Sequence, residues 1–125
     1  MRALLATLVL AVAAQGCVTP SIPIPPPDPS KMEFTVTVNG TASTTVMSYP
    51  ETSYYRGGIA YLYNRFQHAG VIQDVNANGS IGPTPPMAAA LGDEIVVTVQ
   101  LDTQSESSCI VLRNGVQDPT TYCGP

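Results

Sequence analysis

The chain has 125 residues, with five Lys and Arg against nine Asp and Glu, a formal net charge of −4, a single His and no Trp. That acidic balance excludes a nucleic-acid partner, whose phosphates need a basic footprint. One imidazole also leaves a histidine-based zinc or copper site without its second ligand.

The chain opens on Met1-Arg2, continues as an apolar run from Ala3 to Ala14, and exits through Gln15-Gly16-Cys17. This is the layout of an export signal. An apolar run of about a dozen residues is too short for a permanent span, which takes roughly 20. Ala14-Gln15-Gly16-Cys17 resembles the cleavage site of bacterial lipoproteins, in which a small residue precedes a lipidated cysteine. The resemblance implies a signal peptide over residues 1–16 and a mature N-terminus at Cys17, carrying a diacylglyceryl group on sulfur and a further palmitate-type chain on nitrogen. Two or three chains make attachment durable, since each buried methylene adds about 0.8 kcal/mol. Val18 stands where an inner-membrane retention signal would place aspartate, so the outer membrane is the expected location. The alternative is an ordinary secretory peptide cut near Ala14, which also takes the protein out of the cytoplasm.

With Cys17 assigned to lipid, Cys109 and Cys123 remain as an even pair in an oxidising compartment, where a disulfide is the expected state. Closing a loop of about 15 residues contributes roughly 3 kcal/mol in the chain-entropy model. Without the signal, Lys31, Arg56, Arg65 and Arg113 face nine carboxylates, so the mature chain is still more acidic.

Val18 to Ser30 reads VTPSIPIPPPDPS, with six prolines in thirteen residues. Proline supplies no amide donor and fixes φ, so residues 17–30 are expected to form a polyproline-type tether. At about 3.1 Å per residue it would reach roughly 40 Å.

From residue 31 to 125 the vocabulary becomes β-branched and aromatic, broken by Gly, Asn and Pro, with no sustained 3.6-residue apolar period. Phe34, Val36 and Val38 alternate with threonines up to the turn signal Asn39-Gly40. Further strands are expected over Thr44 to Tyr49, Ile59 to Phe66, Val71 to Val75, a short piece at Ser80-Ile81, Ile95 to Leu101, and Cys109 to Arg113. Seven short strands in under 100 residues predict a small all-β, two-sheet sandwich. A tight turn at Asn114-Gly115 would not bring Cys109 opposite Cys123, so a wider loop over Asn114 to Pro119, or a tail folding back without strict pairing, is expected.

Tyr63-Asn64, the hairpin Ala77-Asn78-Gly79-Ser80, and Leu91-Gly92-Asp93-Glu94-Ile95-Val96-Val97-Thr98-Val99 resemble the pattern of bacterial immunoglobulin-like modules and carboxypeptidase-regulatory-like domains. The resemblance covers residues 57 to 101 and implies an immunoglobulin-like sandwich that serves as a structural or binding unit. The long bridge Gly82 to Ala90 and the Cys109/Cys123 pair depart from that pattern.

Chemistry-bearing constellations are sparse. Asp74, Asn76, Asn78 and Gly79 reproduce the first half of a calcium loop. The bidentate glutamate position is Pro85, however, and Asn-Gly is already explained as a turn, so no metal or cofactor is expected. His68 lies between Gln67 and Ala69-Gly70, in a connection. No serine stands in a Gly-x-Ser-x-Gly elbow, and Asp93 and Glu94, adjacent in sequence, would point to opposite faces. No catalytic residue is assigned and no enzyme is expected.

The tyrosines are the surface candidates. With Ala60 and Leu62 facing inward, as the immunoglobulin-like resemblance implies, Tyr61 and Tyr63 share the outer face beside Arg65, with Tyr54, Tyr55 and Arg56 just upstream. Aromatics with arginine suit contact with protein or glycan; the same rings would also serve as cross-strand cover. Three roles are open: a lipid-anchored structural or adhesive envelope module, a glycan or small-ligand binder using the Tyr61/Tyr63 face, and an inhibitor or chaperone of a periplasmic enzyme acting through a protruding Gly82 to Ala90 loop.

Overall fold

The computed structural model describes residues 22–121 and 123. The signal segment, Cys17 and the start of the tether lie outside the described residues.

Eight strands form two four-stranded antiparallel sheets. One sheet has the order β5-β2-β1-β8, built from β1 (Glu33–Asn39), β2 (Ala42–Ser48), β5 (Met87–Ala88) and β8 (Gly115–Val116). The other has the order β4-β3-β6-β7, built from β3 (Ile59–Asn64), β4 (Ala69–Asp74), β6 (Glu94–Leu101) and β7 (Gln104–Val111). The second order matches the C′-C-F-G sheet of immunoglobulin-type sandwiches, and β1, β2 and β5 occupy places A, B and E of the facing sheet. The small immunoglobulin-like sandwich expected from the sequence is thus the fold. Its core closes between Phe34 and Met47 from one sheet and Leu62, Val97, Val99 and Ile110 from the other.

Hairpin chemistry sets the registers. Asn39 pairs with Ala42, so the turn is Gly40-Thr41, one residue later than Asn39-Gly40 implies. Gly40 takes φ +66°, which glycine adopts without the Cβ penalty. Between β6 and β7 the turn is Asp102-Thr103, with Asp102 at φ +54°.

Three segments differ from expectation. The proline-rich bridge is not a protruding loop, because Met87 and Ala88 pair with Thr45 and Thr44 of β2. Thr84 extends this edge, its amide donating to Met47 O at 3.0 Å and its hydroxyl accepting from Met47 N at 2.9 Å. Strand β7 starts five residues before Cys109, in a stretch whose polar sequence hid it. Beyond β7 the chain crosses to the other sheet, where Gly115 and Val116 pair with Phe34 and Glu33. Buried Gln117 holds that crossing, its amide donating to Arg113 O at 2.6 Å and Gly115 O at 2.9 Å. The chain then returns so that Cys123 is bonded to Cys109 with Cα atoms 5.3 Å apart. Cys123 has no ladder partner, in keeping with a tail that folds back.

The described part of the proline segment, residues 22–30, is laid on the sandwich instead of standing clear of it. It runs parallel to β7. Gln104 donates to Ile22 O at 2.9 Å and accepts from Ile24 N at 2.8 Å, and Ser108 donates to Pro27 O. Tyr55 donates to Pro25 O at 2.8 Å, and Tyr49 accepts from Asp28 N at 3.1 Å. A polyproline chain leaves its carbonyls without internal partners, and polar side chains of the body supply them. Ile24 and Pro27 are buried there. The folded body therefore begins by residue 22, earlier than the boundary at residue 31.

Candidate contact surface

Strand β3 alternates cleanly. Ala60, Leu62 and Asn64 are buried, and Tyr61 and Tyr63 face outward. Register carries the outer face across the sheet. Tyr61 stands opposite Ile72 of β4 and Thr98 of β6, and Thr98 stands opposite Ser107 of β7. Tyr63 is 43% exposed and Ile72 66% exposed, so a strip of aromatic and aliphatic surface lies beside hydroxyl and amide groups.

The rings are held in place at their tips. Tyr61 Oη lies 3.0 Å from Gln100 Oε1, and Tyr63 Oη lies 2.9 Å from His68 Nδ1. His68 sits in the β3–β4 connection, as expected, with φ +52°. Arg65 pairs with Glu94 at 3.3 Å, both side chains about a third exposed, a geometry that contributes little stability in water. Tyr61, Tyr63 and Arg65 are therefore neighbours on one side of the molecule.

Tyr54 and Tyr55 do not join them. Both belong to a 3-10 turn, Ser53–Tyr55, whose first residues are capped by Thr52, its hydroxyl accepting from Tyr54 N at 3.3 Å. The turn sends the two rings in different directions. Tyr54 is exposed, whereas Tyr55 is only 1% exposed and packs on Tyr49 with ring centroids 5.8 Å apart. Burial, with Tyr49 beside it, pushes the Tyr55 phenol well above its ordinary value. Tyr55 is thus a core residue and leaves the set of surface candidates. A groove of about 560 Å3 opens nearby, walled by Pro25 to Pro27, Pro29, Tyr49 and Tyr54; it is the seam between the docked proline segment and the body.

The two halves of the sequence resemblance meet at a buried polar lock. Asp93 Oδ2 accepts from Asn64 Nδ2 at 2.8 Å, Gln67 Nε2 at 2.8 Å and Ala90 N at 2.9 Å. Asn64 Oδ1 in turn accepts from Phe66 N and Gln67 N. Burial works to raise the Asp93 carboxyl, but the bonds from Ala90, Asn64 and Gln67 outweigh it and hold it below the usual range. The cluster ties the β3–β4 turn to the turn before β6, and Asp93 and Glu94 serve separate partners. Asp28 and Asp118 are also held low, first by the hydroxyls of Ser30 and Thr120 respectively. Both bonds cap turns.

In the half-motif for calcium, Asn78 Oδ1 accepts from Ser80 N at 3.0 Å and Ser80 Oγ at 2.6 Å, and Asn76 Nδ2 donates to Ser80 Oγ and Gly82 O. The loop amides thus fold the loop on itself. Gly79, at φ +87°, lies so close to Thr52 O that a Cβ would fall 1.6 Å from it. Sequence reasoning did not foresee that Glu94 stands by the two cysteines, ligand atoms of all three lying within 4.8 Å of one another. With the sulfurs bonded to each other, neither offers the thiolate that a metal takes.

Comparisons with protein-family models, with curated proteins and with solved structures return no match. The immunoglobulin-like description therefore stands on strand order and register.

Proposed function

We propose that the protein is a non-enzymatic module of the bacterial envelope, held on the outer membrane by acyl chains on Cys17 and acting as a structural or adhesive part through the outer face of β3. The observation that carries this reading is the strip Tyr61, Tyr63 and Ile72. Tyr63 and Ile72 are turned to water and Tyr61 is half-buried beside them, while farther across the same face Cys109 is buried and bonded to Cys123. Its rings are immobilised by Gln100 and His68, so docking a partner costs little further side-chain entropy.

The perturbed acids support the same reading. Each lies in a turn with its bonds satisfied, and no buried side-chain donor or acceptor is left without a partner among the described residues. Among them, too, no helix is long and apolar enough to cross a membrane; attachment in this reading rests on acylation alone.

A second reading keeps the same face and changes the partner. Hydroxyls of Thr98 and Ser107, 2.6 Å apart, adjoin the Tyr61 ring, and rings flanked by hydroxyls suit a glycan. The inhibitor or chaperone reading has lost the protruding loop on which it rested. Affinity capture from detergent-solubilised envelope tests the proposal, with wild type beside a Tyr61→Ser/Tyr63→Ser variant. A stoichiometric protein lost with the variant supports the adhesive role. Glycan-array binding without a protein partner supports the second reading, and equal capture by both forms removes the face from the account.

A further inference from the structure

The end of the sandwich nearest the chain's path to Cys17 carries uncovered apolar surface. Ile22 is 81% exposed and Tyr54 54% exposed, and with Pro23, Ile24, Ser53 and Leu101 they line a shallow groove of about 280 Å3. Ile22 does not drift freely over the body, because Gln104 grips its carbonyl and the amide of Ile24. The docked proline segment therefore fixes where the chain departs.

Covalent geometry then limits what can lie beyond. Five peptide links separate Cys17 from Ile22, and fully extended they span at most about 18 Å. Acyl chains on Cys17 would hold this end close to the lipid surface. The opposite end, with exposed Phe66 and Leu91, lies the length of β6 away, eight residues at roughly 3.3 Å each.

We propose that Ile22 and Tyr54 rest in the headgroup–acyl boundary of the membrane that holds Cys17, so that the sandwich stands on this end with Phe66 and Leu91 farthest from lipid. The inference rests on the anchoring reading above and deepens it by naming the surface that meets the bilayer. Tyrosine suits that depth, its ring taking the apolar side and its hydroxyl the wet side, while the Ile22 side chain enters as a small wedge. The residues lining the groove carry no charge, so no basic cluster among them recruits anionic lipid. The contact is apolar and insensitive to salt.

The absence of Trp from the chain makes single reporters unambiguous. Full-length processed protein carrying Ile22→Trp, Tyr54→Trp or Phe66→Trp is reconstituted into phosphatidylcholine vesicles with brominated acyl chains, after the mass at Cys17 has been read. Reporters at positions 22 and 54 are expected to be quenched severalfold more than the one at position 66, with no change on adding salt. Equal quenching at all three positions in acylated protein overturns the inference and leaves anchoring intact. Protein that lacks the acyl mass overturns the anchoring reading itself. If Tyr54→Trp disturbs the 3-10 turn, Ile22→Trp carries the same comparison from a largely exposed position outside that turn.

Discussion

Strands β7 and β3 belong to one sheet and treat the inside–outside rule in opposite ways. On β7, Gln104 and Ser108 point polar groups toward the interior, where they meet carbonyls of the docked proline segment. On β3, Tyr61 and Tyr63 point rings away from the interior, where only Gln100 and His68 meet their hydroxyls. The difference shows how to read a broken alternation: a polar residue turned inward has found an internal partner, and an aromatic residue turned outward is a candidate for contact.

The largest effect should come from removing the cover on β7. Deleting residues 18–27 exposes the site of Ile24 and leaves Gln104, Ser108 and Tyr55 without their partners. Burial of one aliphatic side chain and several hydrogen bonds, less the entropy of ordering the segment, amount to roughly 3 kcal/mol. Chemical denaturation measures it, and a loss below about 1 kcal/mol would mean that the segment merely rests on the body.

Next comes the polar lock, which contrasts with both strands in being closed on itself. Asp93→Ala leaves three donors without their acceptor and is expected to cost about 2–3 kcal/mol. Because the Asp93 carboxyl is depressed in the folded state, its contribution is complete above the unfolded carboxyl value of about 3.9 and is lost as pH falls through the folded value. Asp28 and Asp118 act with the same sign. Acid titration of stability should therefore fall less steeply in Asp93→Ala than in wild type below about pH 4; parallel curves would remove Asp93 from the acid response.

Tyr55→Phe is a finer probe of the covered side. It deletes the hydroxyl that donates to Pro25 O and interacts with Tyr49 and should cost about 1 kcal/mol. The smallest effect on stability belongs to the open face. Tyr61→Ser with Tyr63→Ser removes cross-strand contacts between partly exposed residues, expected at no more than about 1 kcal/mol. A loss of several kcal/mol would recast the strip as structural cover and erase the contrast with β7.

Strand periodicity revealed most of the fold. Ala60 and Leu62 in β3, and Ile95, Val97 and Val99 in β6, are buried as their alternation implies, and Asn64 and Asp93, both singled out in the sequence, meet in the polar lock. What stayed hidden has one physical origin. Gln104 to Ser107 lacks apolar alternation because, of its inward positions, Gln104 bonds the proline segment and Glu106 stays exposed, so no period marks the strand. Conversely, VTPSIPIPPPDPS reads as a spacer because nothing local shows that a neighbouring strand will supply donors to its carbonyls. Met87-Ala88 and Gly115-Val116 form strands of only two residues, too short to show a period. Tyr55 illustrates the same limit within the candidate site, since a 3-10 turn, not strand alternation, sends it inward away from Tyr54.

The central claim, that the outer face of β3 meets a partner while the β7 side is satisfied internally, is tested most directly by photo-crosslinking in intact cells. A photoreactive phenylalanine analogue placed at Tyr63 should give one discrete adduct, and the same analogue at Tyr49, in the seam beside the proline segment, should give none beyond the chain itself. Adducts absent at Tyr63, or equal from both positions, would contradict the account.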